Sequence, residues 1–196
     1  MTENTGKTKG SILFNAKEYI ISSHGESAWK RIVVNLPGPD SEILENELVS
    51  TDWYPTPLLN RLLNTYDVLQ GNGDFLSIAP IAEYIAKKDL GPVLESLGNL
   101  KRPTTILKSA HSLWGRYFDS GMLELELLDM DQKYSVFYLD ELADEERASG
   151  VAVCNFALPE WFKTGLKMAG ANTVKIDQTS CRYKNDKICR FEVWWD

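Results

Sequence analysis

The sharpest chemistry in this 196-residue chain belongs to three cysteines, Cys154, Cys181 and Cys189, all within its last 43 residues. Thiolates are good zinc ligands, and zinc is held by four donors in a tetrahedron. Facing thiols can also form a reversible disulfide, or pack as small apolar groups, as most buried cysteines do. All three readings stay open at this level. The chain has only two histidines. His24, in a His-Gly pair, suits the carbonyl end of a helix, where a positive charge is favoured. His111 reads as a surface or partly buried helical histidine. Arg182, Lys184, Lys187 and Arg190 could hold an anion, but Asp177, Asp186 and Glu192 interleave with them and describe a solvated mixed-charge hairpin. There is no Gly-rich phosphate loop, Ser-His-Asp set or metalloprotease spacing. With no such catalytic set, the chain is not expected to be an enzyme.

The second feature is aromatic. Trp53, Tyr54, Trp114, Tyr117, Phe118, Phe156 and Trp161, with Phe137, Tyr138 and Phe162, could wall an apolar small-molecule pocket. The same rings are what a helix-on-sheet core requires.

The elements that must position these residues are read from periodicity. Ser11 is expected to cap a helix whose Ile12, Leu13, Ala16, Ile20 and Ile21 recur at helical spacing. His24-Gly25 breaks it, and a second helix follows from Glu26 or Ser27 to Asn35. Pro37 to Asp40 reads as a turn, and Ser41 to Leu48 as a short helix. Leu58, Leu59, Leu62, Leu63, Tyr66 and Leu69 form an apolar stripe on a helix opened by Pro55 or Pro57. Phe75 to Asp89 predicts a helix that Gly91-Pro92 breaks. Thr104 to Phe118 predicts one more. At Gly121 the period changes to two. Met122, Glu124, Glu126 and Leu128 alternate with Leu123, Leu125 and Leu127, and a strand at Tyr134 to Leu139 pairs with them as a hairpin. The charge run Asp144-Glu-Glu-Arg147 leads into a helix over Ser149 to Ala169 that kinks or restarts at Pro159. Strands at Thr173 to Thr179 and Ile188 to Trp195 close the chain. The fold class is α+β: a helical N-terminal half packed with a C-terminal β-β-α-β-β antiparallel sheet. Residues 1–9 read as a polar, flexible tail and 10–196 as a single ligand-binding-type α+β domain.

Composition narrows the classes further. Hydrophobic residues make up 43% and charged residues 25%, close to the globular average. A chain of this length can bury a core without disulfide staples. The net charge of −7 opposes general affinity for nucleic acid. No apolar run reaches the roughly 18 residues of a membrane span, and Met1 to Lys9 has no secretory h-region. An odd, low cysteine count then points to a reducing, cytoplasmic setting.

The closing stretch Cys181-Arg-Tyr-Lys-Asn-Asp-Lys-Ile-Cys189-Arg-Phe-Glu-Val-Trp-Trp195 resembles the last hairpin of vinyl-4-reductase-type domains. Those carry Cys-Arg, a turn usually holding Gly-Asp, a second Cys, then Phe-Glu-Val and often Trp. Asn185 stands where Gly is usual, and Asn tolerates the left-handed conformation. Gly10-Ser11, His24-Gly25-Glu26, Trp53-Tyr54-Pro55 and Leu113-Trp114-x-Arg116-Tyr117-Phe118-Asp119-x-Gly121 are similar to an uncharacterised paralogous family abundant in myxobacteria. That family sits in a superfamily with haem nitric-oxide sensors, the sensor domains of aromatic-responsive activators and Bet3-type Golgi transport subunits. The resemblance spans about residues 10 to 195. It implies an α+β pocket domain, with Trp53, Tyr54, Trp114, Tyr117, Phe118, Phe156 and Trp161 as pocket candidates.

For cofactors, the resemblance points first to zinc. Cys154, Cys181 and Cys189 match the three zinc cysteines of the aromatic sensors, but Gln178 occupies the position of their glutamate. The haem sensors use a histidine on a mid-chain helix, comparable to His111, and a Tyr-x-Ser-x-Arg strand motif. The strand Tyr134-Ser-Val-Phe-Tyr138-Leu-Asp140 lacks that arginine, so haem is not expected. The expected function is a non-enzymatic sensor or regulatory domain for a small apolar or amphipathic molecule. With no effector domain attached, it would signal through a protein partner or a homodimer. The alternative is a scaffold or dimerisation module without a ligand.

Overall fold

A computed structural model describes residues 6–100, 102–140 and 150–196. The charge run 144–147 and the start of the helix expected at Ser149 lie outside the described residues.

Strand β1 (Lys7–Lys9) pairs antiparallel with β2 (Trp53–Pro55). The N-terminal segment is thus ordered up to three residues earlier than polarity suggested, because Lys7–Lys9 gains a ladder partner distant in sequence. Helix α1 (Gly10–His24) follows at once, with Ser11 already inside its first turn and no side-chain cap. Gly10 is required there: a Cβ would sit 2.1 Å from the Val49 carbonyl oxygen. Helices α2 (Glu26–Val34) and α3 (Gly38–Glu45) come next. Pro37 to Asp40 proves to be the entry to α3, since proline fits a first turn whose N–H groups lack partners anyway.

Helix α4 (Thr56–Gln70) buries the predicted stripe Leu58, Leu59, Leu62, Leu63 and Tyr66. Helix α5 (Ile78–Leu97) runs through Gly91-Pro92, where a break was expected. Pro92 lies on the exposed side, while Leu90 and Leu94 on either side of it are buried. Packing of that apolar face outweighs the one lost hydrogen bond. The helix expected from Thr104 to Phe118 is two helices, α6 (Pro103–Lys108) and α7 (Ala110–Tyr117), parted at Ser109.

The C-terminal half is one antiparallel sheet, β3 (Met122–Asp129), β4 (Tyr134–Asp140), β5 (Val174–Ser180) and β6 (Cys189–Trp195), in the order β3-β4-β6-β5. On β6 the alternation holds: Cys189, Phe191, Val193 and Trp195 are buried, and Arg190, Glu192 and Trp194 are less so. On β3 it does not. A bulge between Leu125 and Leu127 shifts the register, which turns Leu127 outward (47% exposed) and Leu128 onto the core. Between the hairpins, a π-helical turn (Ala152–Ala157) leads into α8 (Leu158–Met168), with Pro159 in its first turn. Of the two readings of Pro159, a kink or a restart, the structure has the restart.

Two apolar clusters result. One lies among α1, α2, α4 and the start of α5. The other lies between the sheet and α6, α7, α8 and the end of α5. Helix α5 spans both, and α5 against α8 is the main seam.

Candidate functional site

A cavity of about 60 Å³ lies where the two clusters meet. The helical half supplies Ile12 from α1, Leu59 and Leu63 from α4, and Ala82 and Ile85 from α5. The other wall is Leu113, Trp114 and Tyr117 from α7, the adjoining Phe118, Leu123 of β3, and Leu158, Trp161 and Phe162 of α8. Val153 and Ala157 close it from the π-helical turn. An extra residue in a helical turn re-aims side chains, and such turns recur at functional sites. Here it directs Val153 and Ala157 to the cavity, while Phe156 stacks on Phe75 at 5.1 Å.

Of the aromatic candidates, the fold brings Trp114, Tyr117, Phe118 and Trp161 together around the cavity. Trp114 lies flat on Phe118, centroids 4.1 Å apart, and its indole N–H donates to the Ser120 carbonyl at 2.9 Å. Trp161 meets Tyr117 edge to face. Trp53, Tyr54 and Phe156 do not line it. Trp53 sits on the β1–β2 ribbon with the Lys9 ammonium 4.6 Å from its ring centre. Tyr54 packs against Gly10 and accepts the Val49 amide at its hydroxyl. The aliphatic two thirds of the wall was legible only as core stripe, since nothing in a period distinguishes packed leucines from cavity-facing ones.

One polar group stands behind this wall and escaped the sequence reading. Asp89 of α5 accepts from Asn15 Nδ2 at 3.2 Å, and the indole of the cavity-lining Trp161 lies near enough to favour its ionised form. The Tyr117 hydroxyl donates to the Asp89 main-chain oxygen at 3.4 Å. Asp89 Oδ2 is buried without a hydrogen-bond partner. Burial raises the Asp89 carboxyl to about 7, against the weaker opposing pull of Trp161 and Asn15. Burial likewise pushes the Tyr117 phenol up. The available signal was Asn15, a polar residue set inside the apolar stripe of α1.

The cysteines converge, but not as a metal centre. Cys154 Sγ lies 2.9 Å from Cys189 Sγ. Cys181 Sγ instead donates to Asn155 Oδ1 at 3.3 Å, and Gln178 directs its amide N–H at Cys154 Sγ (3.8 Å) rather than offering an oxygen. Asp177, on the other face of β5 from Gln178, pairs with Lys175. Among the described residues no group of three or more His, Cys, Asp or Glu side chains could hold a metal ion. The zinc expectation is corrected accordingly. Asn185 takes the left-handed conformation expected of it, with φ 72°.

The architecture is that of H-NOX domains. An H-NOX protein from Shewanella oneidensis in its Fe(II)NO ligation state is similar, with a TM-score of 0.70 at 11% identity over 96% of this chain and 99% of that one. An Fe(II) unliganded mutant of the H-NOX protein from K. algicida gives 0.70 at 10% identity over 96% of both chains. A structure concerned with heme distortion in the H-NOX family gives 0.60 at 8% identity over 94% and 92%. At these identities the likeness is one of fold. No protein-family model matches the chain, and no curated protein matches it.

These neighbours correct the expectation about haem. Proteins of this fold are described in Fe(II), Fe(II)NO and Fe(II)CO states, so a missing Tyr-x-Ser-x-Arg motif is no ground for setting haem aside. His111 is 63% exposed at its side chain and pairs with Glu124 at 3.3 Å. The cavity wall has no histidine, cysteine or methionine. Its 60 Å³ is less than half the roughly 150 Å³ of a cavity that takes up benzene. A porphyrin does not fit this packing. Nor does any helix have the length and apolarity to cross a membrane, among the described residues.

Proposed function

We propose that the protein is a non-enzymatic cytoplasmic sensor or regulatory domain that takes a small apolar or amphipathic molecule into the cavity between its two clusters. The observation that carries this reading is a predominantly apolar cavity walled by both halves of the fold. A molecule bound there favours the packing that accommodates it and shifts the population of α8 and the π-helical turn against α4 and α5. The readout passes to a protein partner or a second copy of the chain. The vinyl-4-reductase-like ending and the H-NOX-like fold support a sensor over a scaffold, and the myxobacterial family resemblance belongs to the same reading. The wall offers no acid–base pair or nucleophile.

Xenon tests this directly, because dry apolar cavities of adequate size take it up. Amide and methyl NMR shifts under xenon pressure should localise to Leu113, Leu123, Val153 and Ala157. Ala157→Leu, which fills the cavity, should abolish them. Uniformly small, unsaturable shifts would overturn the reading.

A further inference from the structure

The four-stranded sheet ends on β3 at one side and on β5 at the other, and among the described residues no further strand pairs with either. An edge strand presents unpaired N–H and C=O groups that invite another strand. The two edges differ. Strand β3 is broken by the bulge between Leu125 and Leu127, and it carries Glu124, Glu126 and Asp129 with no basic residue. A copy of β3 laid against it would set acid beside acid. Strand β5 keeps its register from Val174 to Gln178 and carries one charge of each sign, Lys175 and Asp177.

The backbone groups that β5 leaves free follow from this register. The Trp195 amide donates to the Lys133 carbonyl, away from β5. Successive residues of a strand bond to opposite sides, so Trp194 and Glu192 turn toward β5 and meet Lys175 and Asp177. The Thr173 amide, on the same alternation, donates to Asp196 at the end of β6. Val174, Ile176 and Gln178 therefore direct their N–H and C=O outward. The Val174 and Ile176 side chains pack on the core and are only partly buried. Those of Lys175 and Asp177 lie on the other face, 68% and 45% exposed, as an ion pair.

We propose that the free edge of β5 pairs antiparallel with the same edge of a second copy, about a two-fold axis at Ile176. The register that overlaps 174–178 completely is centred there. It sets Lys175 opposite Asp177 of the second copy, at the positions where side chains approach most closely, while Val174, Ile176 and Gln178 exchange backbone hydrogen bonds across the seam. Moving the centre to Lys175 or to Asp177 sets that charge against its own copy, which is destabilising. Lysines on an edge normally keep other strands away. Here the two opposite signs disfavour unlike strands and admit a second copy in one register. Opening the Lys175–Asp177 pair within each chain loses little, because exposed ion pairs are weakly stabilising. The seam also covers the exposed flanks of Val174 and Ile176. A short edge buries less than a standard interface, so the dimer is weak and depends on concentration. Helix α8, part of the cavity wall, packs against β5, but the pairing does not require an occupied cavity.

Sedimentation velocity of the full chain from roughly 10 µM to 1 mM, the range of a weak association, is the test. The wild type should pass from monomer to dimer. As it does, the amides of Val174, Ile176 and Gln178 should exchange more slowly, while those of Lys175 and Asp177, already turned to β6, change little. Lys175→Asp leaves two acids on the edge and Asp177→Lys leaves two lysines. Each alone should weaken self-association about tenfold or more. Mixed in equal amounts, the two variants should associate again, because acids then face lysines. Both side chains are exposed, so neither reversal disturbs the core. A wild type that stays monomeric throughout, a dimer indifferent to either reversal, or variants that fail to associate when mixed would each overturn the proposal and leave the cavity reading standing.

Discussion

Cys154 Sγ and Cys189 Sγ, 35 residues apart in sequence, lie 2.9 Å from one another in the core and join the π-helical turn to the last strand. Both residues are essentially without solvent exposure, and Cys181 is 2% exposed. In the native protein none of the three thiols should react with iodoacetamide in minutes, while all three should in denaturant; intact mass reads the difference. Cys154→Ala and Cys189→Ala should each cost about 1 kcal/mol, comparable to losing one buried methyl group. Because the sulfurs touch, the double variant should cost less than the sum. Strict additivity in urea melts would mean that the contact carries no coupling.

Trp114 is a cavity wall and also a packing unit, stacked on Phe118 and bonded to Ser120. Trp114→Ala should destabilise by about 3–5 kcal/mol. Trp114→Phe keeps the stack, loses the N–H bond, and should cost about 1–2 kcal/mol. Chemical denaturation separates the two, and equal losses would show that the hydrogen bond contributes as much as the ring.

Asp89 gives stability a definite pH slope. Its folded value, about 7, lies above the roughly 3.9 of an unfolded aspartate. Between those values the folded chain binds the proton that the unfolded chain has lost. Stability from this group is therefore full below about pH 4, falls as pH rises to about 7, and levels off above. The whole effect is a few kcal/mol at most. Asp89→Asn should flatten the slope, its advantage over the wild type growing from pH 5 to pH 8 in thermal melts. A wild type equally stable at both values would contradict it.

Gly165 sets how closely α8 approaches α5. A Cβ there would lie 2.7 Å from Leu90 Cδ1, so Gly165→Ala should destabilise by about 1–3 kcal/mol through overpacking. Gly115, in α7, has nothing within 4 Å of such a Cβ. Gly115→Ala should stabilise by about 0.5–1 kcal/mol, since alanine is the better helix former. Melting temperatures moving in the same direction for both would refute the close contact.

What the sequence determined by itself was local and periodic. The stripes of α1 and α4, the alternation of β6, the β3–β4 hairpin, the interruption at Pro159 and the left-handed Asn185 each follow from a few adjacent residues, and so does the α+β class. Tertiary structure decided the rest. Helix α5 passes through Pro92 because Leu90 and Leu94 have a core to enter. Lys7–Lys9 becomes a strand because Trp53–Pro55 lies beside it. The bulge that turns Leu127 outward depends on how β3 meets β4. The site is furthest from sequence. Trp114, Tyr117, Phe118 and Trp161 share a cavity, and Trp53, Tyr54 and Phe156 do not, because α7, α8 and the π-helical turn converge there while the β1–β2 ribbon lies elsewhere. Asp89 looks like any helix-surface acid until α1, α7 and α8 close over it. Burial and proximity are properties of the assembled fold, and they turned an ordinary carboxylate into a largely buried acid behind an apolar chamber.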